Sequence, residues 1–304
     1  MSGGERGIAL LNALVIVAAL AAVAAGLMQM AASARARQQT GQDVWQAMLY
    51  LDAAQPLAGQ ILVEDAAGDR GFDHGGEDWA RPRRFDVDRG TVTLRLRDLQ
   101  GRFNVNRLAN PADSAARQGF ARLLAVLGLP AGLAASVAGH LSPRGPVDAA
   151  VYARRPVPVL PSGGAIAVIE EIRLAPGMNA ETFALLAPHV AALPAGSVPN
   201  VNTATPEVLA ALLPGAAPAA IERLVALRTA SPFTSTADFR ARAGALLRGA
   251  GGVTEAGAGF AVASGWFEAE LVAELGGTVQ RRLMVIERDR RLGAAEIRYR
   301  RMLP

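Results

Sequence analysis

Three histidines, His74, His140 and His189, are the only imidazoles in the 304-residue chain, and no two of them stand at a metal-ligand interval. The chain has no cysteine, which removes thiolate nucleophiles, Cys-ligated metals and disulfides together. It also has no lysine, so neither a phosphate-loop lysine nor a Ser-Lys dyad can be built. Asp86 and Asp88 could pair for acid-base work, but they flank Val87 at the start of a strand region, where solvated carboxylates are the ordinary case. Asp73, Glu77 and Asp78 lie close together in the stretch GDRGFDHGGEDWARP, whose Gly and Asp content predicts a surface loop. No catalytic constellation results, and the chain is expected not to be an enzyme.

Charge narrows the class further. All 31 basic side chains are arginine, which reads as base composition rather than selection for phosphate binding, and the net charge is only +4. Asp and Glu are interspersed with Arg nearly everywhere, so no uniform field for nucleic acid follows.

The elements that must carry these residues begin with the N-terminus. Residues 8–32, IALLNALVIVAALAAVAAGLMQMAA, contain no charge. About 20 apolar residues at ~1.5 Å each match a hydrocarbon core of about 30 Å. The run is too long for an ordinary cleaved signal and continues into a polar segment with Val44, Ala47, Met48, Leu51 and Ala54 at helical spacing. One helix from about Ile8 to about Gln55 is expected, half greasy and half amphipathic.

A short polar leader ending in Arg6-Gly7 ahead of such a helix resembles the type IV pilins and type II secretion pseudopilins. The resemblance implies cleavage by a prepilin peptidase after Gly7, leaving Ile8 as the N-methylated terminus. It also implies a Glu at the fifth mature position, which here is Asn12. Asn cannot balance a neighbour's positive amine, which suits a subunit with none above it, at a filament tip.

Beyond the helix the period changes. In TVTLRLRDLQGRFNVN, Val92, Leu94 and Leu96 alternate with polar residues, and Gln100-Gly101 is expected to turn this strand into a second one. Short helical patterns follow, among them FARLLAVLGL, GLAASVAGHL, VIEEIRL and AETFALLAPHVAAL, punctuated by Pro and Gly. Thr205 can cap a helix that starts at Pro206. Period two returns at Phe267, Ala269, Leu271, Ala273 and Leu275, with turns expected at Gly276-Gly277 and at Asp289-Arg290-Arg291. A lone hairpin is marginal in water, so these strands are expected to complete the sheet begun at Thr91.

The expected fold is α+β: a pilin-like long N-terminal helix packed on an antiparallel sheet, with a large all-helical domain inserted between strands. Leader, transmembrane helix and first pilin part take residues 1–7, 8–32 and 33–106. The insertion takes 107–255, and the C-terminal strands 256–304. With DLQGRFNVN, VPNVNTATPEVLAALL and SGWFEAELVAELG, this arrangement resembles the K-type minor pseudopilin, the GspK family. The resemblance implies a tip subunit of the type II secretion pseudopilus that helps start the filament and export folded proteins. It implies a single-pass inner-membrane protein with its bulk in the periplasm, whose partners are the I, J and H minor pseudopilins, the assembly platform and the prepilin peptidase. Ala18, Ala21, Ala22 and Gly26 would let helices pack closely.

Residues 198–242 also look like a helix-hairpin-helix unit of secreted DNA-uptake proteins, which is the alternative function. Its hairpin, Pro214-Gly215-Ala216-Ala217, lacks a second Gly to bring backbone amides to phosphate, and Glu222 and Asp238 interrupt Arg223, Arg228, Arg240, Arg242 and Arg248. Nucleic acid is therefore not the expected partner. No cofactor is required. Some relatives imply calcium, yet GHLSPRGPVDAAVY offers only Asp148, and no ligand set is assigned.

Overall fold

The computed structural model describes residues 3–68, 71–155, 157–247 and 259–303. Helix α1 runs Gly3–Ala67 as a single 65-residue rod, roughly 100 Å long at 1.5 Å per residue. It does not stop near Gln55, as its sequence predicts, but continues through Pro56. A proline inside a helix costs about 3 kcal/mol. The buried stripe Ala47, Leu51, Ala54 and Ala58 carries on into Ile61 and Leu62, whose burial contributes about 1.5–3 kcal/mol each, enough to offset that loss.

The stripe packs on a five-stranded antiparallel sheet formed by β1 (Arg83–Val87), β2 (Gly90–Asp98), β5 (Trp266–Leu275), β6 (Thr278–Asp289) and β7 (Ala294–Leu303), in the order β1-β2-β5-β6-β7. Val92, Leu94, Leu96, Phe267, Ala269, Leu271, Met284 and Ile286 face α1 in one core. The Gly276-Gly277 turn forms between β5 and β6, with positive φ at both residues.

The hairpin expected at Gln100-Gly101 does not form. Strand β2 pairs instead with β1, across a two-residue turn at Asp88-Arg89, and with β5. Past Gly101 the chain enters another core. Two-residue strand β3 (Phe103–Asn104) lies parallel to β4 (Val190–Ala191), and Phe103, Val105 and Leu108 are buried with the helices.

Those helices are α2 (Ser114–Val126), α3 (Gly132–Leu141), α4 (Ala150–Ala153), α5 (Ala180–Leu186), α6 (Pro206–Leu212), α7 (Pro218–Ala230) and α8 (Thr236–Leu246). Several start on a side-chain cap: Asp113 accepts from Ala116 N at 2.9 Å, Asn179 from Thr182 N at 2.8 Å, Ser235 from Asp238 N at 3.0 Å and Thr205 from Val208 N at 3.4 Å. VIEEIRL forms a 3-10 helix, Ile169–Leu174, rather than an α-helix.

The helical insertion leaves the sheet at the end of β2 and returns at the start of β5. At the other end of β2, Arg89 holds Asp43 of α1 at 2.9 Å, whereas Asp65, near the end of α1, meets Arg288 of β6 at 2.8 Å. The insertion therefore hangs from the end of the sheet farthest from the apolar start of α1.

Candidate functional site

The described side chains from Ile8 to Ala32 are all exposed, with Ile8 at 63% and Leu20 at 65%. The segment is long and apolar enough to cross a membrane, and none of the described residues covers it. Asn12 lies on this uncovered rod, and Gly7 is in its first helical turns.

At the far end of the sheet a polar junction ties α1, the strands and the insertion together. Asp73 and Glu77 are buried, not part of a surface turn. Asp73 accepts from Arg288 Nη2 at 2.6 and 2.7 Å, from Arg290 Nη2 at 2.7 Å and from Ser264 N at 2.6 Å. Glu77 takes Trp79 Nε1 and His74 N, each at 2.8 Å. The loop composition correctly announced turns but not burial, because the two arginines that neutralise Asp73 lie more than 200 positions away. Asp78 alone of the three stays exposed, 2.5 Å from Arg83.

The carboxylates of Asp65, Asp73 and Glu77 approach within 4.8 Å of one another, a spacing a cation could bridge. Arg288 and Arg290 already supply positive charge there, and Arg288 is fully buried over the Phe267 ring, 4.5 Å from its centroid. A hard cation that needs six to eight oxygens does not fit beside two guanidinium groups. Asp148 is no better placed. Its carboxylate is exposed and accepts from Ala150 N at 3.0 Å, at the start of α4.

Two of the three sequence segments that carry the family likeness, DLQGRFNVN and VPNVNTATPEVLAALL, meet at this junction, joined by Ser264 at the head of the third. Asp98 accepts from Ser264 Oγ and Thr203 Oγ1 at 2.5 Å, from Asn200 Nδ2 at 3.1 Å and from Gln100 N at 2.8 Å. Burial pushes its carboxyl pKa up, and these donors pull the other way. Asn200 N donates to Gln100 O at 2.9 Å. A Cβ on Gly101 would stand 2.7 Å from Thr203 O, so only glycine allows this approach.

Both segments contain the triplet Asn-Val-Asn, and both use it in the same way. The first Asn accepts from the backbone N–H of the second, 3.1 Å for Asn104 and Asn106, 2.9 Å for Asn200 and Asn202. The second Asn then exchanges two hydrogen bonds with a distant backbone. Asn106 pairs with Ile166 at 2.8 and 2.9 Å, and Asn202 with Phe233 at 2.8 and 2.9 Å. The repetition of the triplet is the local sign of this shared role, whereas the distant partners leave none in the sequence. Paired buried amides of this kind fix loops that have no ladder of their own.

The arginines of the hairpin-like region do not form one patch. Arg223 and Arg240 are exposed. Arg228 donates to Val201 O at 2.6 Å, and Arg242 donates to Ser231 O at 2.8 Å and covers the Phe233 ring. Arg248 lies outside the described residues. The histidines are apart: His74 stacks on Phe72, His140 Nδ1 is 3.1 Å from the Tyr152 hydroxyl, and His189 is 3.0 Å from Thr205 Oγ1. Asp86 is exposed, 3.8 Å from Arg84, and Asp88 is exposed too.

Two family models, both described as type II secretion system (T2SS), protein K, match residues 101–195 and 199–262. Type II secretion system protein K of Klebsiella pneumoniae is 34% identical over 263 residues, 79% of this chain and 80% of that protein. The Pseudomonas aeruginosa protein of the same name is 34% identical over 266 residues, 79% of this chain and 77% of its own. The crystal structure of the GspK-GspI-GspJ complex from enterotoxigenic Escherichia coli contains a chain with a TM-score of 0.71 at 24% identity, covering 88% of this chain and 99% of that one. At that identity the likeness is one of fold: long helix, antiparallel sheet and helical insertion.

Proposed function

The chain belongs to the type II secretion system protein K family and is a minor pseudopilin, and from that premise we propose that it sits at the tip of the pseudopilus, where it helps initiate filament assembly and the export of folded proteins from the periplasm. The observation that carries the tip position is the placement of the insertion. It hangs from the end of the sheet opposite the apolar rod, where its bulk would obstruct a further subunit stacking above. Asn12 supports the same position, because it offers no negative charge to the amine of a subunit beyond it.

In this reading a prepilin peptidase cuts after Gly7, and Ile8 becomes the methylated terminus. The uncovered helix then serves first as a single inner-membrane anchor and afterwards as a packing surface for the helices of the I, J and H minor pseudopilins. The solved complex whose fold this chain shares joins GspK with GspI and GspJ, which supports the first two as partners. The assembly platform of the inner membrane would extract the chain into the filament. The role is one of assembly, requiring neither a catalytic group nor a cofactor.

The experiment is N-terminal analysis of the protein purified from its own membrane. A methylated Ile8 is the expected result. A native polypeptide beginning well past residue 30, with the rod discarded, would overturn the filament reading.

A further inference from the structure

A cleft of about 1200 Å3 opens between the outer face of the sheet and the insertion. Its lining includes four arginines, Arg97, Arg102, Arg228 and Arg301, against two carboxylates, Asp98 and Glu268. Three of the four are matched: Arg97 and Arg102 reach Glu268 at 3.3 and 3.0 Å, and Arg301 bonds Glu170. Asp98 is taken up by Ser264, Thr203 and Asn200.

Arg228 is different. Its Nη1 donates to the Val201 carbonyl at 2.6 Å, and among the described residues it has no carboxylate partner. Burial alone lowers its pKa to about 10, so it stays charged at neutral pH while losing much of its hydration. An uncompensated, partly desolvated cation is costly, and a carboxylate brought to it from outside would relieve that cost.

We propose that this cleft is the docking site for an acidic segment of a partner protein, whose carboxylate pairs with Arg228. Charge complementarity selects the occupant: three of the four lining arginines have carboxylate partners, and among the described residues Arg228 has none. The apolar walls contributed by Leu283 and Leu303 suit the side chains of a peptide. They do not suit a continuous polyanion such as DNA, and the hairpin at 214–217 lies outside the lining. This goes beyond the filament reading and stands without it, since it rests on this chain's own cleft.

The test uses the full-length protein in detergent micelles and a fluorescent Glu-rich octapeptide, with its Gln counterpart as control. Anisotropy should show binding of the Glu peptide only. Arg228→Gln should weaken it about tenfold or more, the scale of removing one member of a desolvated charge pair, whereas Arg223→Gln, an equal charge change on the exposed face of α7, should not. Because Arg228→Gln could disturb the fold, a second readout leaves that residue intact. Ala230 lines the cleft and is exposed, and Ala230→Cys would be the sole thiol of the chain. The Glu peptide should slow its labelling by a neutral maleimide, and the Gln peptide should not. Equal loss in both arginine variants, no protection of the thiol, or equal protection by duplex DNA would each overturn the proposal.

Discussion

Asp73 and Arg288 meet at 2.6 Å with neither side chain exposed, although 215 positions separate them. Arg290 reaches the same carboxylate from the turn after β6, and Arg288 extends to Asp65 on α1. One buried carboxylate thus holds the loop after the long helix against the end of the sheet, beside the strands from which the insertion leaves and returns.

Removing that carboxylate takes a buried counter-charge from both arginines. Asp73→Ala is expected to lower the stability of the folded part by about 3–5 kcal/mol, the usual cost of breaking a buried ion pair from one side. The double substitution Asp73→Leu with Arg288→Met should cost less than the sum of its single changes. Denaturant midpoints of the full-length protein in micelles check both, and additivity would contradict the coupling.

Two glycines should respond with opposite signs. Gly101→Ala places a Cβ 2.7 Å from the Thr203 carbonyl and should cost about 1–3 kcal/mol as the backbones are forced apart. Gly244→Ala, in α8 with nothing within 4 Å of the added atom, should stabilise by up to about 1 kcal/mol. Thermal unfolding of the pair decides it.

His140 should make the insertion sensitive to acid. Burial lowers its pKa, so below about pH 6.5 the unfolded chain binds more protons than the folded one, and stability falls with pH until the folded-state pKa is passed. Asp98 and Asp65 are raised by burial and act in the opposite sense at the acid end. The comparison is therefore wild type against His140→Phe, whose stability should lose this slope between pH 6.5 and lower values. Parallel pH profiles would show that the imidazole titrates alike in the folded and unfolded chain, and would overturn the prediction.

Gly7 is the residue a prepilin peptidase would need small. Gly7→Val should leave the leader attached, seen as an unprocessed band and a mass including residues 1–7 in the membrane fraction. Normal processing of that variant would count against cleavage at this peptide bond.

Local periodicity revealed much of this architecture. The alternation at Val92, Leu94 and Leu96, and again from Phe267 to Leu275, placed the correct residues on the face toward α1, and Gly276-Gly277 turned where expected. Two errors have a common cause in long-range packing. Strand β2 does pair with a C-terminal strand some 170 positions later, as expected of the sheet begun at Thr91, but its other partner is the upstream β1 and not a strand after Gln100-Gly101, and Pro56 was carried through by burial beyond it, which its neighbours do not announce. The junction was least legible because its groups come from stretches scattered from α1 to the turn after β6. Asp73, Asp98, Asn200 and Ser264 acquire their roles only when those stretches converge. Among the described residues only the repeated Asn-Val-Asn triplet left a local trace of that convergence.

The strand order carries a consequence for biogenesis. Arg97 and Glu268 are 171 positions apart yet lie on adjoining central strands. A nascent chain can form the long helix and the first short hairpin early, but its sheet waits for residues 266–303 to be made. Until then the apolar stripe of the rod has only the hairpin's part of its cover, which makes a product truncated before β5 ready prey for chaperones and proteases, and ties competence for assembly to synthesis of β5–β7.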